Sequence, residues 1–305
     1  MRGALLCLVS ASGFATLGIF GTLASEAGAS ITSTLLVRFG LAAVAFLLLV
    51  RITGGWAGLR RLPRRVVLTG LGLGAIGYSL QSGLYFLAID RLDVALVSLL
   101  LYTYPAFVTV AALVLGRAKP TARTWLALGV ASVGLVLVLA AAGAASFDVL
   151  GAGLALAASL TYTTYILVSD GIVSEVEPFT LSALVLTGGT VSFSVAGAAT
   201  GTLDLGLSGE AWLWLALIAL VSTVVAVSAF FAGLRRVGPS EAAILSTFEP
   251  PVTVALAFLV LGERLTVPQL AGGALVLAAV IALQLPSRVS RRRAWRLSAP
   301  SSARP

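Results

Sequence analysis

The chain has 305 residues, 59% of them hydrophobic and 10% charged, with a mean hydropathy of +1.05. Globular domains are about a quarter charged, so this composition specifies an integral membrane protein and nothing in it resembles a soluble catalytic domain. The net charge of +8 does not mark a nucleic-acid surface, because the arginines cluster between apolar runs, where they act as topology signals. There is no histidine or asparagine and Cys7 is the only cysteine, which excludes disulfides, His/Cys metal sites and Cys/His or Ser/His catalysis. No cofactor is expected.

Ten apolar segments follow in order, at about 3–24, 30–50, 66–89, 94–116, 123–142, 148–168, 179–199, 211–234, 240–261 and 267–285. Each is predicted to be a helix, because a chain crossing lipid must satisfy its own backbone and the period-2 pattern of a barrel strand is absent. The expected fold class is an all-α integral membrane protein with ten transmembrane helices. The first run follows Arg2 and precedes a small-residue site at Ala27-Gly28-Ala29, the layout of a secretory signal, but it is longer than the apolar part of one and is read as the first span. In the third, Gly72 to Gly77 matches G-x-G-x-x-G with no strand before it. Gly70 and Gly74, like Gly129/Gly134 and Gly272/Gly273, are read instead as close helix contacts.

Basic residues set the orientation. With the N-terminus in the cytoplasm, 17 Lys and Arg fall on the inner side and two, Arg91 and Arg264, on the outer, which predicts cytoplasmic N- and C-termini in the plasma membrane. The segment after residue 285, with Arg291-Arg292-Arg293, is expected to be a disordered tail near anionic lipid, a partner-binding role being the alternative. Trp56, Trp125, Trp212, Trp214 and Trp295 sit near segment ends, as an interfacial belt does.

Sliding the chain on itself by 145 residues lays Tyr85-Phe86-Leu87-Ala88-Ile89-Asp90-Arg91 over Phe230-Phe231-Ala232-Gly233-Leu234-Arg235-Arg236, and Pro105 over Pro250. The chain divides into copies at 1–142 and 148–285, with the tail 286–305 apart. Each copy holds five spans, and because five is odd the second sits upside down relative to the first. Inverted repeats with broken helices at their interface are the usual architecture of secondary transporters.

The ninth segment carries Glu249, Pro250 and Pro251 halfway along. An acid at mid-depth costs about 2.5 to 3.5 kcal/mol on insertion scales, and a proline inside a helix about 3 kcal/mol. The prolines alone read equally as a packed kink, with Pro105 a second break at the matching depth of segment four. Glu249 reads as a group that contacts a substrate or a proton. Tyr78, Tyr85, Tyr102, Tyr104, Tyr162 and Tyr165 all lie within spans. Tyr78, Gln81 and Tyr85 share one helix face, as do Tyr162 and Tyr165. Tyr102 and Tyr104 point roughly opposite ways, so at most one is expected to face a cavity fully, and Tyr85 is shallow enough to belong to the belt. Any single buried tyrosine could simply pack; together they favour a cavity. Arg38 lies deep in segment two, at nearly the depth of Glu249, so a pair between them, direct or through water, is feasible; capping of carbonyls or snorkelling is the alternative.

The ten-span inverted duplication, Tyr102-Thr103-Tyr104-Pro105, Phe248-Glu249-Pro250, Leu261-Gly262-Glu263-Arg264-Leu265-Thr266 and Arg38-Phe39 resemble EamA-type transporters of the drug/metabolite transporter superfamily. The resemblance implies a cytoplasmic-membrane carrier, often an exporter of amino acids, related metabolites or drugs, with a central cavity between the halves. The family commonly ends span four with a Gly-Glu-Arg-like run, and here that place reads Gly116-Arg117-Ala118. Glu263 reads as a helix-end contact. The expected function is a non-enzymatic secondary transporter, an exporter acting by alternating access, with a channel or a scaffold as the alternative. Glu249, Arg38, Tyr78, Gln81, Tyr102, Tyr104, Tyr162 and Tyr165 are the candidate substrate or coupling residues, and Pro105, Pro250 and Pro251 the helix breaks. The expected partners are a small-molecule substrate and the lipid bilayer, with protons as coupling ion and a homodimer left open.

Overall fold

The computed structural model describes residues 2–116, 121–140, 148–173 and 176–285. Arg117 and Lys119, the acid Glu175, and the tail with its arginines and Trp295 lie outside them. Among the described residues every regular element is a helix: α1 (Arg2–Glu26), α2 (Ile31–Ile52), α3 (Trp56–Arg61), α4 (Arg64–Gly72), α5 (Ser79–Ile89), α6 (Val94–Leu101), α7 (Tyr104–Val114), α8 (Ala122–Ala140), α9 (Val149–Val173), α10 (Pro178–Thr200), α11 (Gly209–Ala219), α12 (Ala226–Val237), α13 (Pro239–Ser246), α14 (Glu249–Leu256) and α15 (Val267–Gln284). Several starts are written in the sequence. Ser30, Glu177 and Ser208 cap α2, α10 and α11 through their side chains, and Thr266 with Gln269 forms a reciprocal box at α15.

Nine segments of the described chain are long and apolar enough to cross a membrane, one fewer than expected. The segment not among them, α4 to α5, is helical throughout. Its glycines, together with Ser79, Gln81 and Ser82, dilute its apolar content. Three π-helical turns occur among the described residues: those at Leu73–Tyr78 and Leu220–Val225 interrupt α-helices, and one at Ala257–Leu261 ends segment nine. At the first two, a hydroxyl donates to the carbonyl five residues back, Ser79 to Gly74 at 2.8 Å and Thr223 to Ile218 at 3.0 Å. Left-handed glycines also recur: Gly54 and Gly201 follow α2 and α10, and Gly116 and Gly262 follow the fourth and ninth segments, all at φ between 65° and 80°.

The main contacts join the first part of the chain to the second, and they run antiparallel. Gly3 of α1 meets Arg236 and Val237 at the end of α12, while Gly13 meets Ala226 at its start. Phe46 of α2 meets Phe179 near the start of α10, and Thr32 meets Gly197 near its end. Along α8 and α15, Arg123 donates to the Ala282 carbonyl, whereas Gly134 lies against Gly272. A Cβ on Gly134 would stand 2.7 Å from the Gly272 oxygen, so glycine is what lets these two backbones touch. Gly129, expected to make a similar contact, has nothing within 4 Å of it. The second and fifth segments thus lie against their counterparts in the opposite sense, as an inverted duplication requires. The largest apolar core lies where α2 and α10 cross α5, α6 and α9, around the fully buried Phe39, Phe46, Val97 and Leu100.

Candidate functional site

The fourth and ninth segments are both broken near their middles. In segment four, α6 ends at Leu101 and α7 begins at Tyr104, with Pro105 in its first turn; in segment nine, α13 ends at Ser246 and α14 begins at Glu249, with Pro250 and Pro251 in its first turn. Proline is tolerated there because first-turn N–H groups have no intrahelical partner. A threonine marks each break: Thr103 bonds the Leu100 carbonyl at 2.7 Å and Ser159 at 3.0 Å, and Thr247 bonds the Ile244 carbonyl at 2.6 Å.

Tyr102 bridges the two breaks. Its hydroxyl lies 2.9 Å from Glu249 Oε2 and 2.9 Å from the Ser246 carbonyl oxygen. From Tyr102 the phenols continue in van der Waals contact: Tyr104 at 5.8 Å between ring centroids, Tyr162 at 4.7 Å from Tyr104, Tyr165 stacked on Tyr162 at 6.0 Å, and Tyr78 at 5.8 Å from Tyr165. Contrary to expectation, both Tyr102 and Tyr104 line the cavity. The helix stops between them, so the 100° step of a continuous helix no longer separates their directions. Tyr85 is also misplaced by the sequence reading. It is 7% exposed and lines the smaller chamber rather than an interfacial belt, because α1 covers it at Gly18.

Arg38 closes the other end of this row. Its Nε donates to Thr223 Oγ1 at 3.2 Å and its Nη2 to the Tyr78 hydroxyl at 2.9 Å, with the guanidinium 5.4 Å from the Phe39 ring centroid. It is 2% exposed. Arg38 and Glu249 form no ion pair; the salt bridge among the described residues is Arg91 to Asp148, at a surface. Arg38 therefore neither snorkels nor pairs directly with Glu249, but is held by hydroxyls and aromatic faces. Thr223 was not expected. It sits on the π turn at 220–225, whose extra residue per turn re-aims its side chain, and period-3.6 reasoning cannot place it.

Two chambers share Phe14, Tyr78, Tyr102, Tyr104, Tyr162 and Glu249. The smaller, of about 130 Å³, holds Arg38, Gln81 and Thr253; the larger, of about 410 Å³, runs past Tyr165, Val185 and Phe230 to Ser169, Pro178, Ala243 and Gln284. Those last residues lie at the helix ends on the face that carries Arg235 and Arg236. Toward the opposite face Ile19, Val94, Ala95 and Ala257 pack into one buried apolar cluster. There Glu263 accepts from Val94 N at 2.8 Å and Ala95 N at 3.0 Å, capping α6 with both carboxylate oxygens. The eight candidate substrate or coupling residues thus converge on one cavity, with Gln81 in its smaller chamber; of the prolines, Pro105 and Pro250 are buried at the breaks but outside the cavity lining, and Pro251 is exposed and lines a separate surface pocket with Val254 and Phe258.

This arrangement defines a multi-pass helical membrane protein with an internal repeat and a polar cavity at two broken spans. A sequence model described as the EamA-like transporter family matches residues 1–140 and again residues 149–284. The chain belongs to that family and is a membrane transporter of the drug/metabolite transporter type. It is 29% identical over 211 residues to an uncharacterized transporter of Archaeoglobus fulgidus, covering 69% of this chain and 74% of that one. It is 28% identical over 210 residues to the uncharacterized transporter YcbK of Bacillus subtilis, covering 66% and 67%. A solved structure described only as the crystal structure of a protein superposes with a TM-score of 0.66 at 17% identity, over 95% of this chain and 99% of that one. At that identity the likeness concerns the fold alone.

Proposed function

We propose that the protein is a secondary exporter of a small organic solute, amino-acid-like or drug-like, working by alternating access. The copies 1–142 and 148–285, five spans each and ten in all, rock against each other around the cavity. With both termini cytoplasmic in the plasma membrane, as the basic residues indicate, the open end of the larger chamber faces the cytoplasm, the side from which an exported solute loads. Arg38 offers a counter-charge to an anionic group, and Glu249 one to a cationic group or a proton, so a zwitterion such as an amino acid suits the pair. Protons are the coupling ion in this reading.

The observation that carries the reading is that Arg38 and Glu249 line one cavity without pairing with each other. Two opposite charges kept apart inside a membrane protein need a reason beyond stability. Proteoliposomes preloaded with an unlabelled amino acid are expected to accumulate the same labelled amino acid by counterflow, with saturation. Flux that rises linearly with concentration and shows no exchange would make the protein a channel. No flux for any amino acid or cationic drug would leave it a scaffold.

A further inference from the structure

Pro250 has no N–H, so the carbonyl of Ser246, four residues back, lacks the donor it would have in an unbroken helix. Tyr102 supplies one from segment four, its hydroxyl lying 2.9 Å from Ser246 O and 2.9 Å from Glu249 Oε2. Tyr102 is 5% exposed, and a phenol has a single hydrogen to give. The two acceptors compete for it. With Glu249 a carboxylate, the charge-assisted bond is the stronger, and the hydroxyl donates to Oε2. With Glu249 protonated, the carboxyl O–H donates to the Tyr102 oxygen, and the Tyr102 hydrogen turns to the Ser246 carbonyl.

We propose that Tyr102 is a positioning residue of the transport cycle, whose hydroxyl senses the protonation of Glu249 and makes or releases a hydrogen bond at the break of segment nine. The proposal rests on the reading of Glu249 as the proton site of a carrier. In the step one proton arrives on Glu249 from the cavity; the phenol keeps its own hydrogen and only rotates. Tyr102 sits at the C-terminal end of α6, so the same rotation ties the break in segment four to the break in segment nine. The other titratable or charged groups on this chamber are Arg38 from α2, Tyr78 and Tyr85 from the third segment, Tyr104 beside Tyr102, and Tyr162 from α9. Phe14 and Leu17 of α1 face it without a titratable group. Of all these, Tyr102 is the one in hydrogen-bond contact with the Glu249 carboxylate among the described residues.

The test follows two signals as pH is stepped, on the full-length protein in lipid. One is the infrared band of a protonated carboxyl, assigned to Glu249 by its loss in Glu249→Gln. The other is the maleimide labelling rate of Ala243→Cys, a cavity residue on α13, corrected for thiol ionisation with the exposed Leu205→Cys; the native Cys7 is fully buried. The parent is expected to change labelling rate several-fold with pH. Tyr102→Phe, which keeps the ring, is expected to flatten that response while retaining the carboxyl band. Pro250→Ala restores an N–H for the Ser246 carbonyl, and is expected to weaken the response with Tyr102 and Glu249 both in place. A pH response that survives both substitutions, with the band present, overturns the role of Tyr102 and leaves Glu249 as the proton site. Absence of the band in the parent overturns both.

Discussion

Arg38 and Glu249 are each held by hydroxyl groups rather than by an opposite charge, Arg38 by Thr223 and Tyr78, Glu249 by Tyr102. Burying an ionisable group without an opposite charge costs stability, which gives two expectations. Arg38→Met should abolish transport yet stabilise the protein by on the order of 1 kcal/mol in thermal or denaturant unfolding, because a buried cation with no anionic partner is removed. A loss of stability instead would make Arg38 a structural residue. Glu249→Gln keeps the shape and an acceptor but not the charge. It should end uptake driven by a pH gradient in proteoliposomes while leaving solute binding measurable; undiminished pH coupling would remove Glu249 from the mechanism. At this scale the sequence was informative about residue type and silent about direction. A carboxylate and a guanidinium stand out in an apolar chain, so both were legible. That Tyr102 and Tyr104 share a wall was not, since it depends on where the helix stops.

Single elements test the packing more directly. In α8, Gly134 touches the α15 backbone while Gly129 faces open space. Gly134→Val should therefore destabilise by about 1 to 3 kcal/mol or more through overpacking, whereas Gly129→Ala should be neutral or stabilise by a few tenths to about 1 kcal/mol, as for glycine in any open helix position. Chemical unfolding of the two variants side by side reads the difference. The cap on α6 crosses between the two matched stretches, and Glu263→Ala should cost about 0.5 to 2 kcal/mol. At the start of α9, Asp148 accepts from Gly151 N at 2.9 Å and from Arg91 at 3.1 Å; the Gly151 amide first, and the Arg91 side chain next, hold its carboxyl below the usual range. Its contribution is complete above the ordinary carboxylate value of about 4 and is lost as pH falls through its lower folded value. Asp148→Asn should remove that acid-side dependence from the thermal midpoint. Helix positions were legible from apolar runs and caps such as Thr266 with Gln269. The π turns were not: no α-helical period singles out the hydroxyls of Ser79 and Thr223 that accompany two of them, and the third, at Ala257–Leu261, has none.

Across the whole molecule, the duplication was readable from the aligned Pro105 and Pro250, while the choice of neighbours was not. Nothing in the apolar runs says that α8 lies along α15 or α1 along α12; small residues on both partners decide it. The antiparallel contacts between the two matched stretches, read with the proposed inversion, make a topological prediction. In intact cells an impermeant thiol reagent should modify Leu205→Cys, between α10 and α11, and spare Arg60→Cys, on α3. Equal labelling of both would place the two connections on one side and break the inverted arrangement. The interleaving has a consequence for how the protein is made. When the first half of the chain has left the ribosome, α1, α2 and α8 are in the bilayer with their main partners still unsynthesised, and α8 waits for α15. Two separately encoded pieces, cut in the connection at 141–147, should still assemble when made together, and either piece produced alone should be cleared by membrane proteases.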